Sequence, residues 1–97
     1  MFRILIAEDD RELRQLFEHV LVKNGYAVDG VGNGYQALQA LENSYFDLII
    51  SDIMMPEMSG FEFAKIIRDD NKDIPILFIT AKDEFEDKRR SYAIGVD

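Results

Sequence analysis

Apolar positions along this chain switch between two rhythms. Ile4-Leu5-Ile6-Ala7 is an unbroken apolar run that stops abruptly at Glu8-Asp9-Asp10, the pattern of a short buried strand. Leu13, Leu16, Phe17, Val20 and Leu21 then recur at helical spacing, and Asn24-Gly25 supplies a helix stop. Tyr26 to Val31 is more mixed in polarity, as a strand at the edge of a sheet would be. Asn33 with Gln36 three residues on has the form of a capping box, opening a helix through Leu38 and Leu41.

The second half repeats the alternation. Leu48-Ile49-Ile50-Ser51 predicts a third strand, ending at Asp52. Ser59 and Glu62 form a second capping box, with Met58 and Phe63 placed for a hydrophobic staple. Phe63, Ile66 and Ile67 give that helix its buried stripe. Ile76-Leu77-Phe78-Ile79 predicts a fourth strand, ending at Thr80-Ala81. A last helix is expected from about Asp83 to Ile94, with acids in its first half, Lys88-Arg89-Arg90 in its second and Gly95 as its stop. Its apolar stripe of Phe85, Tyr92 and Ala93 is sparse, so it is expected to be the least firmly docked helix. Strand and helix alternate four times, which argues for an α/β domain: a parallel sheet, helices on both faces and right-handed crossovers.

Composition narrows the picture. The chain has 97 residues, 47% of them apolar, enough for one small domain (1–97) with a packed core. Nineteen acids against 11 Lys and Arg leave a net charge of −8, which disfavours direct nucleic-acid binding and favours cations or basic partners. Without cysteine there is no disulfide framework and no Cys-based zinc site. No apolar run approaches the roughly 18 residues of a membrane span, and Met1-Phe2-Arg3 does not open a signal peptide. A cytoplasmic location is expected.

In open α/β sheets, ligands sit beyond the carboxyl ends of the strands. Here those ends carry Glu8-Asp9-Asp10, Asp52 and Thr80, four acids and a hydroxyl at one edge. Clustered carboxylates repel unless something offsets the charge, and Mg²⁺, which takes oxygen ligands and keeps several waters, suits an acid-lined cup. Helix capping is the competing explanation for Asp9 or Asp10. It does not explain Asp52, which is followed by a loop and Pro56. His19 falls off the buried stripe of its helix and reads as a solvated surface residue. Met54, Met55 and Met58 read as loop filler and staple contacts rather than a soft-metal site.

Three segments taken together, Ile4-Leu5-Ile6-Ala7-Glu8-Asp9-Asp10, Ser51-Asp52-Ile53-Met54-Met55-Pro56 with Gly60, and Phe78-Ile79-Thr80-Ala81, resemble the receiver domain of two-component response regulators. Gly95-Val96-Asp97 resembles the start of that family's Gly-Ala-Asp segment, so the likeness covers the whole chain. The resemblance implies a flavodoxin-like, doubly wound sheet of order 2-1-3-4. It implies that Asp52 is the phosphoacceptor, taking its phosphoryl group from a sensor histidine kinase. Glu8, Asp9, Asp52 and the backbone carbonyl of Met54 would hold Mg²⁺. Thr80 would be the switch hydroxyl, and Ala81 would offer its N–H to the phosphoryl group. Such a domain is a regulatory switch in a phosphorelay, with at most weak self-phosphorylation and self-dephosphorylation.

The family also has a fifth strand, a fifth helix and a lysine at the end of that strand. Asp97 precedes all three, and Lys82 is no substitute, so the domain is expected to be incomplete at its C-terminus and inefficient as an acceptor. An all-apolar Ile76–Ile79 at a bare sheet edge is a pairing hazard, and a second copy or another chain is expected to cover it. Three other readings compete. A dehalogenase-type phosphatase would carry a second Asp at the position of Met54. A flavin binder would need a Gly/Ser/Thr-rich phosphate loop where Glu8-Asp9-Asp10 stands. A shortened receiver fold could serve only as a dimerisation or interaction module.

Overall fold

Residues such as Ile4, Leu5 and Ile6 can all be buried only in a strand covered on both faces. The computed structural model describes the backbone of residues 1–70, 72–82 and 91–96, and the side chains among these as far as Ile79. Its elements run β1 (Arg3–Ala7), α1 (Arg11–Lys23), β2 (Ala27–Val31), α2 (Gly34–Asn43), β3 (Leu48–Asp52), α3 (Gly60–Asp69), β4 (Ile76–Lys82) and β5 (Ser91–Val96). They form one sheet of order β2-β1-β3-β4-β5, in which the first four strands are parallel. The expected order 2-1-3-4 is therefore present, with β2 at the edge.

The alternation of side chains divides the core into two layers. Leu5, Ala7, Ile49, Ile76 and Phe78 point to one face, where Ala37 and Leu41 of α2 and Phe63, Ala64 and Ile67 of α3 pack on them. Ile4, Ile6, Ile50 and Ile79 point to the other, where Phe17 and Leu21 of α1 cover them. Leu16 and Val20, expected in the buried stripe of α1, are instead 57% and 46% exposed. Among the described residues α1 alone contributes helical contacts to this layer, so only its inner row meets the sheet.

The helix ends follow their sequence signals closely. Asp10 caps α1, accepting from the N–H of Glu12 and Leu13. At the other end Gly25 adopts φ +96°, and Tyr26 and Gly25 donate back to Leu21 and Val22. This is the six-to-one, five-to-two pattern that a left-handed glycine permits. Ser59 and Glu62 form the reciprocal capping box on α3, with Met58 and Phe63 buried beside it. The box on α2 is altered: Asn33 accepts from Gln36, but the Gln36 side chain accepts from Gly32 rather than from Asn33. Arg68 ties the connection into β4 by donating to the carbonyls of Lys72 and Ile74.

The last element corrects the sequence reading. The expected helix from about Asp83 to Ile94 lies outside the described residues as far as Arg90, and Ser91 to Ile94 belong to β5. Gly95 is not a helix stop; it sits in β5 opposite Phe78. β5 pairs antiparallel with β4, from Leu77 opposite Val96 to Lys82 opposite Ser91. Eight residues separate Lys82 from Ser91, too few for the crossover of a dozen or more that a parallel neighbour needs. The segment's pattern also suits a strand, with Tyr92, Ile94 and Val96 at every second position. The edge at Ile76–Ile79, expected to need a second copy or another chain, is thus paired within the chain. The family's parallel fifth strand and fifth helix are absent among the described residues. No helix among them is long and apolar enough to cross a membrane.

Candidate functional site

The adjacent, parallel pairing of β1 with β3 decides where the acids go. Ala7 lies opposite Ser51, so the next residue of each strand, Glu8 and Asp52, leaves the same edge of the sheet side by side. Asp9 follows from the loop. Carboxylate oxygens of Glu8, Asp9 and Asp52 all lie within 4.8 Å of one another, a group that could hold a metal ion. Glu8 is buried, Asp52 is half-buried and Asp9 is exposed, so the cup has a buried floor and an open rim. Asp10, the fourth acid expected at this edge, turns away to cap α1.

Backbone groups fix the two inner carboxylates. The Glu8 N–H donates to Val31 O at 3.0 Å, continuing the β1–β2 ladder by one residue. Its carboxylate accepts from the Asp10 N–H at 3.0 Å. Asp52 Oδ1 accepts from the Met54 N–H at 3.1 Å. On the far side of that loop the Gly60 N–H donates to Ile53 O at 2.8 Å, drawing the start of α3 against the end of β3.

The electrostatics register the crowding. Burial pushes the Glu8 carboxyl from an ordinary 4.5 up to about 8; the Asp10 N–H pulls it down, while the Asp52 charge and hydrogen bonds to Asp52 and Asp9 push it further up. Burial also raises Asp52 above its ordinary 3.8, against the stabilising Met54 N–H and a hydrogen bond from Glu8, and the Asp9 charge adds to the rise. Near neutrality the trio accommodates its charge best with a proton or a cation among the oxygens.

A family model described as the response regulator receiver domain matches residues 4–97. The chain belongs to the response regulator receiver domain family.

Curated relatives of this receiver include the transcriptional regulatory protein PcoR of Escherichia coli, 37% identical over 97 residues, covering 100% of this chain and 43% of PcoR. The transcriptional regulatory protein TctD of Salmonella typhimurium is 38% identical over 95 residues, covering 98% of this chain and 42% of TctD. The chain thus spans about two fifths of the length of these relatives. Among solved structures, the response regulator TrrA of Thermotoga maritima, in complex with Mg(2+)-BeF, is 41% identical with a TM-score of 0.74, covering 78% of this chain and 66% of TrrA. The receiver domain of the Francisella response regulator 1452 is 30% identical with a TM-score of 0.81, covering 91% of this chain and 73% of its own.

The receiver fold brings together Glu8, Asp9 and Asp52, and it places the Met54 backbone beside Asp52 while the Met54 side chain is 71% exposed. Met55 and Met58 are buried in the core, as loop filler and staple. Asp52 pairs with Ile79, so the backbone of Thr80 begins one residue beyond the phosphoacceptor candidate at the same edge. β4 then continues to Lys82 in its pairing with β5, with Thr80 opposite Ala93 and Ala81 opposite Tyr92. The side chains of Thr80 and Ala81 lie outside the described residues. His19 is exposed, as its helical position implied.

Sequence reasoning missed two features of the site. Glu57 has φ +70° and is the centre of a tight turn in which the Met58 N–H donates to Pro56 O at 2.7 Å. No residue type marked it, since glycine or asparagine is the usual signal for that backbone. Arg14 Nη1 donates to the carbonyl of Glu8 at 2.8 Å. The only hint was a cation within the first turns of a helix, where the dipole favours acids.

Proposed function

We propose that this domain is the phosphoacceptor switch of a two-component phosphorelay, with Asp52 taking a phosphoryl group from a phosphohistidine on a sensor histidine kinase. The observation that carries the reading is the convergence of the Glu8, Asp9 and Asp52 carboxylates at the open edge of a parallel sheet. An Asp52 oxygen forms the new bond to phosphorus, the bond from phosphorus to the imidazole nitrogen breaks, and its electron pair stays on that nitrogen. The Met54 N–H holds Asp52 Oδ1 and so fixes the carboxylate for in-line approach.

Glu8, Asp9, Asp52 and the Met54 carbonyl would hold Mg²⁺. All are hard oxygen donors, and a relative 41% identical was solved in complex with Mg(2+)-BeF. When bound, the ion neutralises charge on the carboxylates and on the phosphoryl oxygens. Thr80 supplies the switch hydroxyl and Ala81 an N–H toward the phosphoryl group. The acyl phosphate is itself labile, which gives a temporary signal, with at most weak self-phosphorylation and self-dephosphorylation. An interaction module alone would have no use for three mutually repelling acids, which cost stability unless offset. Pairing with a second copy would fall to the outer edge of β5, because β4 already has a neighbour on each side.

Intact mass after treatment with acetyl phosphate and Mg²⁺ tests the reading. A gain of one phosphoryl mass, lost in Asp52→Asn and lost without Mg²⁺, is the expected result. A gain that survives Asp52→Asn would overturn the assignment.

A further inference from the structure

We infer that Arg14 is a positioning residue for the metal-binding loop, reaching from α1 past Gly30 to hold the peptide of Glu8. The inference rests on the reading of Glu8, Asp9 and Asp52 as the ion's ligands.

β1 ends at Ala7, so beyond it the chain loses the regular support of the sheet. Glu8 keeps one ladder bond through its N–H to Val31. Its carbonyl receives Arg14 Nη1 at 2.8 Å. With the carboxylate bonded to the Asp10 N–H, the backbone donor, the backbone acceptor and the side chain of this one residue are all engaged. The Glu8–Asp9 peptide joins two of the three carboxylates, and its rotation would move both relative to Asp52.

The arginine passes over β2 at Gly30. A Cβ on Gly30 would lie 3.2 Å from Arg14 Cδ and would collide with the Glu18 carboxylate. At Gly32 a Cβ would make only an ordinary contact, 3.4 Å from Arg14 Nη1. Gly30 does not have positive φ, so its contribution here is space rather than backbone freedom. The position of Arg14 also runs against the helix dipole, which disfavours a cation near an N-terminus. A partner on the Glu8 carbonyl offsets that disadvantage. Mg²⁺ requires near-ideal octahedral geometry, so a loop held in one orientation binds it more tightly than one that must be ordered on binding.

The two ways Arg14 can act on Mg²⁺ have opposite signs. As a nearby positive charge it would repel the ion, and its removal would tighten binding. As a tether it pre-orders the ligands, and its removal weakens binding. Titration with Mg²⁺, followed by backbone amide shifts of residues 7–13, distinguishes them in folded protein, where a change in global stability alone does not enter. Arg14→Met keeps the aliphatic stem and removes the donor; it is expected to weaken Mg²⁺ roughly tenfold, the low end for outer-shell partners of metal ligands. Arg14→Lys, with one donor in reach, is expected to recover most of the loss. Affinity in Arg14→Met that is unchanged or tighter, beside a wild type that binds normally, would overturn the inference alone. A wild type with no saturable Mg²⁺ binding would overturn the proposed ligand set, and the inference with it.

Discussion

Gly60, the first residue of α3, packs directly on the backbone carbonyl of Asp52, closer than any side chain would allow. A Cβ there would overlap the Asp52 carbonyl oxygen and lie 3.0 Å from Ile53 Cα, both parts of the backbone and unable to move independently. The contact sets how near α3 comes to Asp52. Gly60→Ala therefore opposes two effects: alanine is intrinsically better in a helix by about 1 kcal/mol, whereas forced overpacking costs about 1–3 kcal/mol. With backbone on both sides the overpacking wins. Urea unfolding is expected to show a net loss of up to about 2 kcal/mol.

Glu57 in the same loop carries strain of the opposite kind. Its φ of +70° is a conformation that costs a non-glycine residue roughly 1–2 kcal/mol. Glu57→Gly removes that cost and adds chain entropy to the unfolded state, about 0.5–1 kcal/mol against it. A small net gain, up to about 1 kcal/mol, is expected by thermal or urea unfolding. Glu57→Pro, whose ring cannot reach positive φ, is expected to destabilise strongly.

The acid trio gives a pH dependence with a definite sign. The Glu8 carboxyl stands at about 8 in the folded chain against 4.5 in the unfolded one, so between these values the folded state binds more protons. Stability of the metal-free protein must then fall as pH rises from about 4.5 to about 8, by a few kcal/mol at most, and level off above. Asp52, raised in the same direction, adds to the fall. Mg²⁺ should reverse it, since the ion replaces the proton as the partner of the carboxylates. Glu8→Gln should flatten the slope, stabilise the metal-free protein near pH 8 by about 1–3 kcal/mol and abolish stabilisation by Mg²⁺. Urea titrations at several pH values, with and without Mg²⁺, read all three outcomes.

The legible parts of this fold were those in which a local signal and the tertiary environment agree. Ile4–Ala7 and Leu48–Ile50 are apolar because both faces of β1 and β3 are covered, so the acids that follow them are legible as neighbours at one sheet edge. Ser59 and Glu62 name their cap outright. Ser91–Ile94 were misread as the end of a helix because the charges before them order well for a helix dipole, whereas β5 is set by its ladder with β4. Leu16 and Val20 satisfied the helical period but not the geometry of a layer that meets only one row of α1. Arg14 was invisible for a different reason. It makes a hydrogen bond to a main-chain carbonyl past Gly30, and no periodicity encodes that.

Asp9 and Asp10 are neighbours of identical chemistry with separate tasks, and two substitutions should divide them. Asp10 Oδ1 accepts from the N–H of Glu12 at 3.0 Å and of Leu13 at 3.2 Å, a helix cap whose loss costs about 1 kcal/mol. Asp10→Ala should lower the urea midpoint by that amount and leave Mg²⁺ affinity close to wild type, because the Asp10 N–H that holds Glu8 is retained. Among the described residues Asp10, not Asp9, caps α1; the Asp9 carboxylate lies exposed within the trio. Asp9→Ala should leave metal-free stability unchanged or slightly raised, since it removes a charge that opposes Glu8 and Asp52, while weakening Mg²⁺ binding by tenfold or more, as expected for loss of a charged oxygen ligand. The opposite pairing of effects, with stability lost at Asp9 and metal lost at Asp10, would mean that the ion is held further along the loop and that the trio around Asp52 is not its site.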